Sequence, residues 1–192
     1  MVRAELRLLL KGQRWWWYAG ALGLIAAGVL APPEAARPVV LPLAWIWPVL
    51  IWSGLGVREA RHATGAMVFS AARPLTRQLP AVWLAGVSVA VAVGGGVFIT
   101  LARMGDAAGM LGWAAGAVFV PTLALALGVW SGGSKLFEVI YLLWWYTGPL
   151  NSLVGMDFMG ARTGGLWRTY LVLTLALLAA TVVGRWRQLR YA

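Results

Sequence analysis

The chain has 192 residues, 61% of them hydrophobic and only 11% charged, with a formal net charge of +10. Soluble domains run at roughly 45–50% apolar and about 25% charged residues, so a water-soluble globule is excluded and lipid is the expected solvent. The positive charge lies in short connections and near the chain ends, with no basic patch interleaved with exposed aromatics, so no nucleic-acid partner is expected.

In chain order, residues 2–14 predict an amphipathic helix. Arg3, Arg7, Lys11 and Arg14 share one face, and Val2, Leu6, Leu9, Leu10 and Gln13 occupy the other. Such a helix is expected in the inner-leaflet interface, drawn to anionic lipid, with Arg3, Arg7 and Lys11 as an interfacial lever. No small-residue cleavage site follows a short apolar core, so the segment does not read as a signal peptide. Cysteine is absent, which removes disulfide and thiol chemistry.

Six apolar runs follow, at 15–30, 39–56, 79–102, 107–130, 136–150 and 166–184. Measured against about 20 residues per span, they predict an all-α integral membrane protein: one transmembrane domain, 1–192, of six helices. The fifth run is short. Pro48 and Pro121 should kink the second and fourth spans, and Gly94, Gly95 and Gly96 should bend the third. Small residues recur every four positions at Ala19/Gly23/Ala27, Gly86/Ala90/Gly94, Gly112/Gly116 and Ala176/Ala180/Gly184. These stripes let helices approach closely, within one chain or between two.

Two connections are not simple linkers. Residues 57–78 include Met67, Val68 and Phe69, apolar where a linker would be polar. Thr64 is placed to cap a short helix and Pro74 to begin the next, which makes this a docking element. Residues 151–165 contain Met156, Phe158 and Met159 and are too short to span twice. They predict an outer re-entrant hairpin between helices 5 and 6.

Orientation follows from the basic residues. Arg3, Arg7, Lys11, Arg14, Arg58, Arg61, Arg73, Arg77, Lys135, Arg185, Arg187 and Arg190 fall on one side, against Arg37, Arg103, Arg162 and Arg168 on the other. The positive-inside rule then places both termini in the cytoplasm of a cell whose plasma (inner) membrane holds the chain. Trp15, Trp16, Trp17, Trp52, Trp83, Trp130 and Trp186 sit at inner ends, Trp113 and Trp167 at outer ends, where indoles favour the headgroup layer.

The second connection carries a resemblance. Glu59, Arg61, Thr64 and Ser70 resemble the Glu-Arg…Gly-Thr…Ser-Pro pattern that follows the second helix in ABC transporter permeases of the type-2 exporter family. The layout is similar along the whole chain, while the motif covers about a dozen residues. Thr64, Gly65 and Ala66 stand where that family usually has an acidic residue, and proline is delayed from position 71 to Pro74. The resemblance implies a permease subunit whose coupling loop docks a separate ATP-binding-cassette ATPase. Glu59, Arg61, Thr64, Phe69, Ser70 and Arg73 would be its docking residues. It also implies a homodimer, or a heterodimer with a related permease, that forms the translocation path. ATP and magnesium would bind to the partner, leaving this chain without a cofactor.

The remaining chemistry agrees with an external energy source. Neither Lys11 nor Lys135 sits in a phosphate-loop pattern, so no ATPase activity is expected of this chain. Glu138, at the inner start of the fifth run, is the only Asp, Glu or His in an apolar run, so no span interior holds an ion carrier, which disfavours self-coupled transport. Ser53, Ser131 and Ser134 lie beside glycines, but the only histidine is His62 in the second connection, out of reach for a Ser–His pair. Lys135 and Glu138 are spaced to pair on one helical face. Asp106 and Asp157 have no partners at metal-ligand spacing, so no metal site is expected. The second reading is a non-transporting anchor or sensor subunit that recruits a cytoplasmic protein; the docking loop serves both.

Overall fold

A backbone in lipid has to satisfy its own N–H and C=O groups, and the apolar runs accordingly become helices. The computed structural model describes residues 1–58, 74–153, 155–162 and 166–191, and no strand occurs among them. Helix α1 (Val2–Leu10) leads through a turn at Gly12 into α2 (Trp15–Leu30). A short α3 (Pro33–Ala35) and a π-turn (Ala36–Val40) precede α4 (Leu41–Ile46) and α5 (Val49–Trp52). Then come α6 (Pro74–Met104), α7 (Ala107–Ser131) and α8 (Lys135–Trp145). A second π-turn (Tyr146–Leu150) extends α8, and α9 (Trp167–Tyr191) ends the described chain.

Three stretches are long and apolar enough to cross a bilayer: Leu75–Met104, Ala107–Ser131 and Trp167–Arg190. The expectation of six full-length spans is met only to that extent. At 16 residues α2 is about 24 Å long, short of a hydrocarbon core of about 30 Å. The second apolar run is not one kinked helix. Pro38, Pro42 and Pro48 each lack an N–H, and the run divides into a π-turn and two short helices around them. Pro121, by contrast, lies inside an uninterrupted α7.

The divided second run is deeply buried in the bundle, as is α7. Leu41, Trp45, Trp52 and Leu55 are fully enclosed, and their indole N–H groups need partners that water would otherwise supply. Trp45 Nε1 donates to the Ala90 carbonyl and Trp52 Nε1 to the Gly86 carbonyl, both at 3.1 Å, on α6. Trp113 of α7 donates to Gly94 at 3.0 Å, and Trp145 of α8 donates back to Pro42 at 2.9 Å. Three expected interface anchors, Trp17, Trp52 and Trp113, are therefore buried, the last two as interior struts. Trp15, Trp16, Trp130 and Trp186 are exposed, as interfacial rings would be.

Glycine lets the helices meet. A Cβ on Gly96 would lie 2.1 Å from the Ile25 carbonyl of α2, while one on Gly94 would strike the indoles of Trp45 and Trp113. Helix α6 runs through the Gly94–Gly96 stretch without a break, and there Gly94 and Gly96 let the tryptophan layer and α2 approach. On α2 the close approach falls on Gly20 and Gly28, whereas Ala19, Gly23 and Ala27 stay exposed. The other faces are apolar and open: on α9, Leu171, Val172, Leu175, Val182 and Val183 are exposed, the arrangement lipid requires and water penalises.

Candidate functional site

Charged and polar groups gather at the two ends of the bundle. At the α1 end, the helix closes its apolar face onto the protein: Leu9 is buried, and Leu6 and Leu10 pack on the same core. Arg3, Arg7 and Lys11 are exposed on the opposite face, so the expected amphipathic division is present, with α6 covering the apolar side. Two hydrogen bonds hold α1 in place. Tyr18 Oη donates to the Leu10 carbonyl at 2.9 Å, and Arg58 Nη1 pairs with Glu5 Oε2 at 3.1 Å. Arg58 immediately precedes residues 59–73, and α6 immediately follows them. Helix α1 therefore touches the chain on both sides of the second connection.

The six docking candidates, Glu59, Arg61, Thr64, Phe69, Ser70 and Arg73, lie outside the described residues, as does His62. The nearest described charged residues along the chain are Arg58, a partly buried side chain, and the exposed Arg77. Glu5 was not among the residues that the sequence singled out. Its signal was faint: an acid within a basic helix, on the edge of the apolar face. Lys135 and Glu138 do form their i, i+3 pair, at 2.9 Å.

The opposite end is organised by two carboxylates that sequence spacing left without a role. Asp106 caps α7, accepting from Gly109 N at 2.8 Å through Oδ1, and its Oδ2 pairs with Arg37 Nη1 at 2.9 Å. Arg37 Nε also donates to the Gly160 carbonyl. Asp157 is 2% exposed, and its two oxygens accept from the backbone N–H groups of Ala161 at 2.9 Å and Arg162 at 2.8 Å. Arg162 Nε reaches the Pro149 carbonyl at 3.2 Å.

These tethers fold the described part of 151–165 back into the bundle as irregular chain, turning at Gly155 and Gly160, with no helix in it. Phe158 and Met159 are buried, and Met156 is exposed. The Phe158 ring packs against Phe119, Tyr141 and Tyr170, with centroids 5.7, 5.8 and 6.2 Å away. Tyr170 Oη donates to the Gly155 carbonyl at 2.7 Å and receives Trp144 Nε1 at 3.2 Å. Non-helical backbone at this end is thus satisfied by protein, the condition under which lipid tolerates it.

A cleft of about 380 Å³ opens beside these tethers, lined by Glu34, Arg37, Leu101, Met104, Asp106 and Arg162 among others. Sequence spacing had no access to it, because Arg37 and Asp106 are 69 positions apart. Comparison with protein-family models, with curated proteins and with solved structures finds no match to the chain.

Proposed function

We propose that the chain is the permease subunit of an ATP-driven exporter, docking a separate ATPase and forming half of a translocation path. In this reading all six apolar runs cross the membrane, and residues 57–78 face the cytoplasm with both termini. The observation that supports it is the clasp at the α1 end. Glu5 holds Arg58 at 3.1 Å, and α1 packs on α6, so a push on the second connection reaches the bundle through rigid parts. Two further features fit. The only acid in the apolar runs, Glu138, pairs with Lys135 at the start of the fifth, so no span interior holds an acid or histidine to couple ions and energy has to enter from outside. The tightly filled middle, with Trp45, Trp52, Phe119 and Tyr141 buried, directs a path to a contact between two chains. The exposed Ala19, Gly23 and Ala27 of α2 suit such a contact.

The filled interior equally favours the second reading, an anchor or sensor subunit that moves no substrate. Mild extraction from the native host, followed by identification of co-purifying proteins, tests both. An ATP-binding-cassette ATPase whose turnover rises with substrate supports the exporter. A cytoplasmic partner without ATPase activity supports the anchor. In reconstituted vesicles, Glu59→Lys is expected to abolish export while insertion persists; undiminished export would remove the docking assignment.

A further inference from the structure

We propose that the cleft between α3, the α6–α7 turn and the 157–162 stretch binds the headgroup of a zwitterionic phospholipid, phosphate against Arg162 and ammonium against Glu34. This rests on the membrane-spanning character of α6 and not on the exporter reading. The first support is charge accounting within the cleft. Arg37 and Asp106 neutralise each other at 2.9 Å, Arg37 Nε also donates to Gly160 and the second Asp106 oxygen accepts from Gly109. Glu34 and Arg162 line the same cleft, and neither has an ion-pair partner among the described residues, including each other. One cation and one anion, held apart, suit a ligand that carries both charges.

Arg162 is placed for this task. Asp157 fixes its backbone N–H at 2.8 Å, and its Nε is occupied by the Pro149 carbonyl at 3.2 Å. Its terminal guanidinium nitrogens are the part left for a phosphate, whose geometry a guanidinium matches better than an ammonium does. A volume of about 380 Å³ lies within the range of small-molecule sites.

Depth selects a lipid as the source. The spanning stretch Leu75–Met104 ends at the cleft, where hydrocarbon gives way to headgroups. Leu101 supplies a buried wall and Met104 a half-exposed one for the first acyl carbons. A lipid with a net negative headgroup would satisfy Arg162 but meet Glu34 with like charge.

The test is native mass spectrometry of the full chain in detergent, titrated separately with phosphatidylethanolamine, phosphatidylglycerol and soluble phosphoethanolamine. The wild type should hold one phosphatidylethanolamine per chain, about tenfold tighter than phosphatidylglycerol. Arg162→Gln should lower that affinity about tenfold, and Glu34→Gln should erase the preference over phosphatidylglycerol. Arg103→Gln, at the same end but outside the cleft, should change neither. Thermal unfolding in the same detergent monitors folding; if Arg162→Gln unfolds, Arg162→Lys, which keeps the charge without the fork, should still weaken binding. Equal affinity in wild type and the Arg162 variants, or no discrimination between the two lipids, overturns the proposal. Soluble phosphoethanolamine binding as tightly as the lipid would assign the cleft to a free zwitterion and overturn the lipid source.

Discussion

The two ends of the bundle use charge in opposite ways. At the α1 end Arg3, Arg7 and Lys11 point away from the protein, and the partly exposed Glu5–Arg58 pair and the Tyr18–Leu10 bond do the fastening. At the other end Asp106 and Asp157 accept from Arg37, Gly109, Ala161 and Arg162, the last three of them residues of their own turns. The difference teaches where helices can close a chain and where they cannot. An amphipathic helix satisfies its own backbone, so its charges are released to meet an outside surface. The irregular backbone in the described part of 151–162 has no such ladder, and the Asp157 carboxylate supplies acceptors there.

The comparison breaks most visibly at Asp157. Asp157→Ala strands one buried and one part-buried N–H donor, and we expect a loss of about 3 kcal/mol in unfolding stability in detergent. A loss below about 0.5 kcal/mol would mean that water replaces the carboxylate and that this end is no better built than the other. Asp106→Ala should rank next, at about 2 kcal/mol, since it removes a helix cap and leaves Arg37 without its carboxylate. Glu5→Ala at the α1 end should cost no more than about 1 kcal/mol, and added salt should mask it, because both side chains retain access to solvent.

The smallest stability effect is expected for Arg3→Gln, Arg7→Gln and Lys11→Gln combined, within about 0.5 kcal/mol. Binding of the detergent-solubilised chain to anionic vesicles should nonetheless fall, by about 1 kcal/mol per charge removed. Unchanged vesicle binding would show that the basic face of α1 serves something other than a negative surface.

Legibility followed the range of the interactions. The division of α1 into exposed Arg3, Arg7 and Lys11 and a covered Leu6, Leu9 and Leu10 was readable, because i, i+3 and i, i+4 neighbours fix a helical face. The Lys135–Glu138 pair was readable for the same reason. Gly86, Ala90 and Gly94 were read correctly as a packing stripe, but Ala19, Gly23 and Ala27 were read alongside them and stay exposed. Periodicity identifies a stripe without saying whether anything lies against it. The tryptophans failed in the same way: position along the chain placed Trp52 and Trp113 at membrane interfaces, while burial among other helices made them internal donors.

Composition and spacing by themselves determined that this chain is helical, rich in apolar runs and amphipathic at residues 2–10, since each of these is settled by neighbours within a turn or two. Only the tertiary structure decided that the second run is buried in the bundle, how it divides around its prolines, and how Arg37 meets Asp106. Those outcomes depend on contacts between residues tens of positions apart, and a sequence pattern carries no distance between segments until the helices have chosen their neighbours.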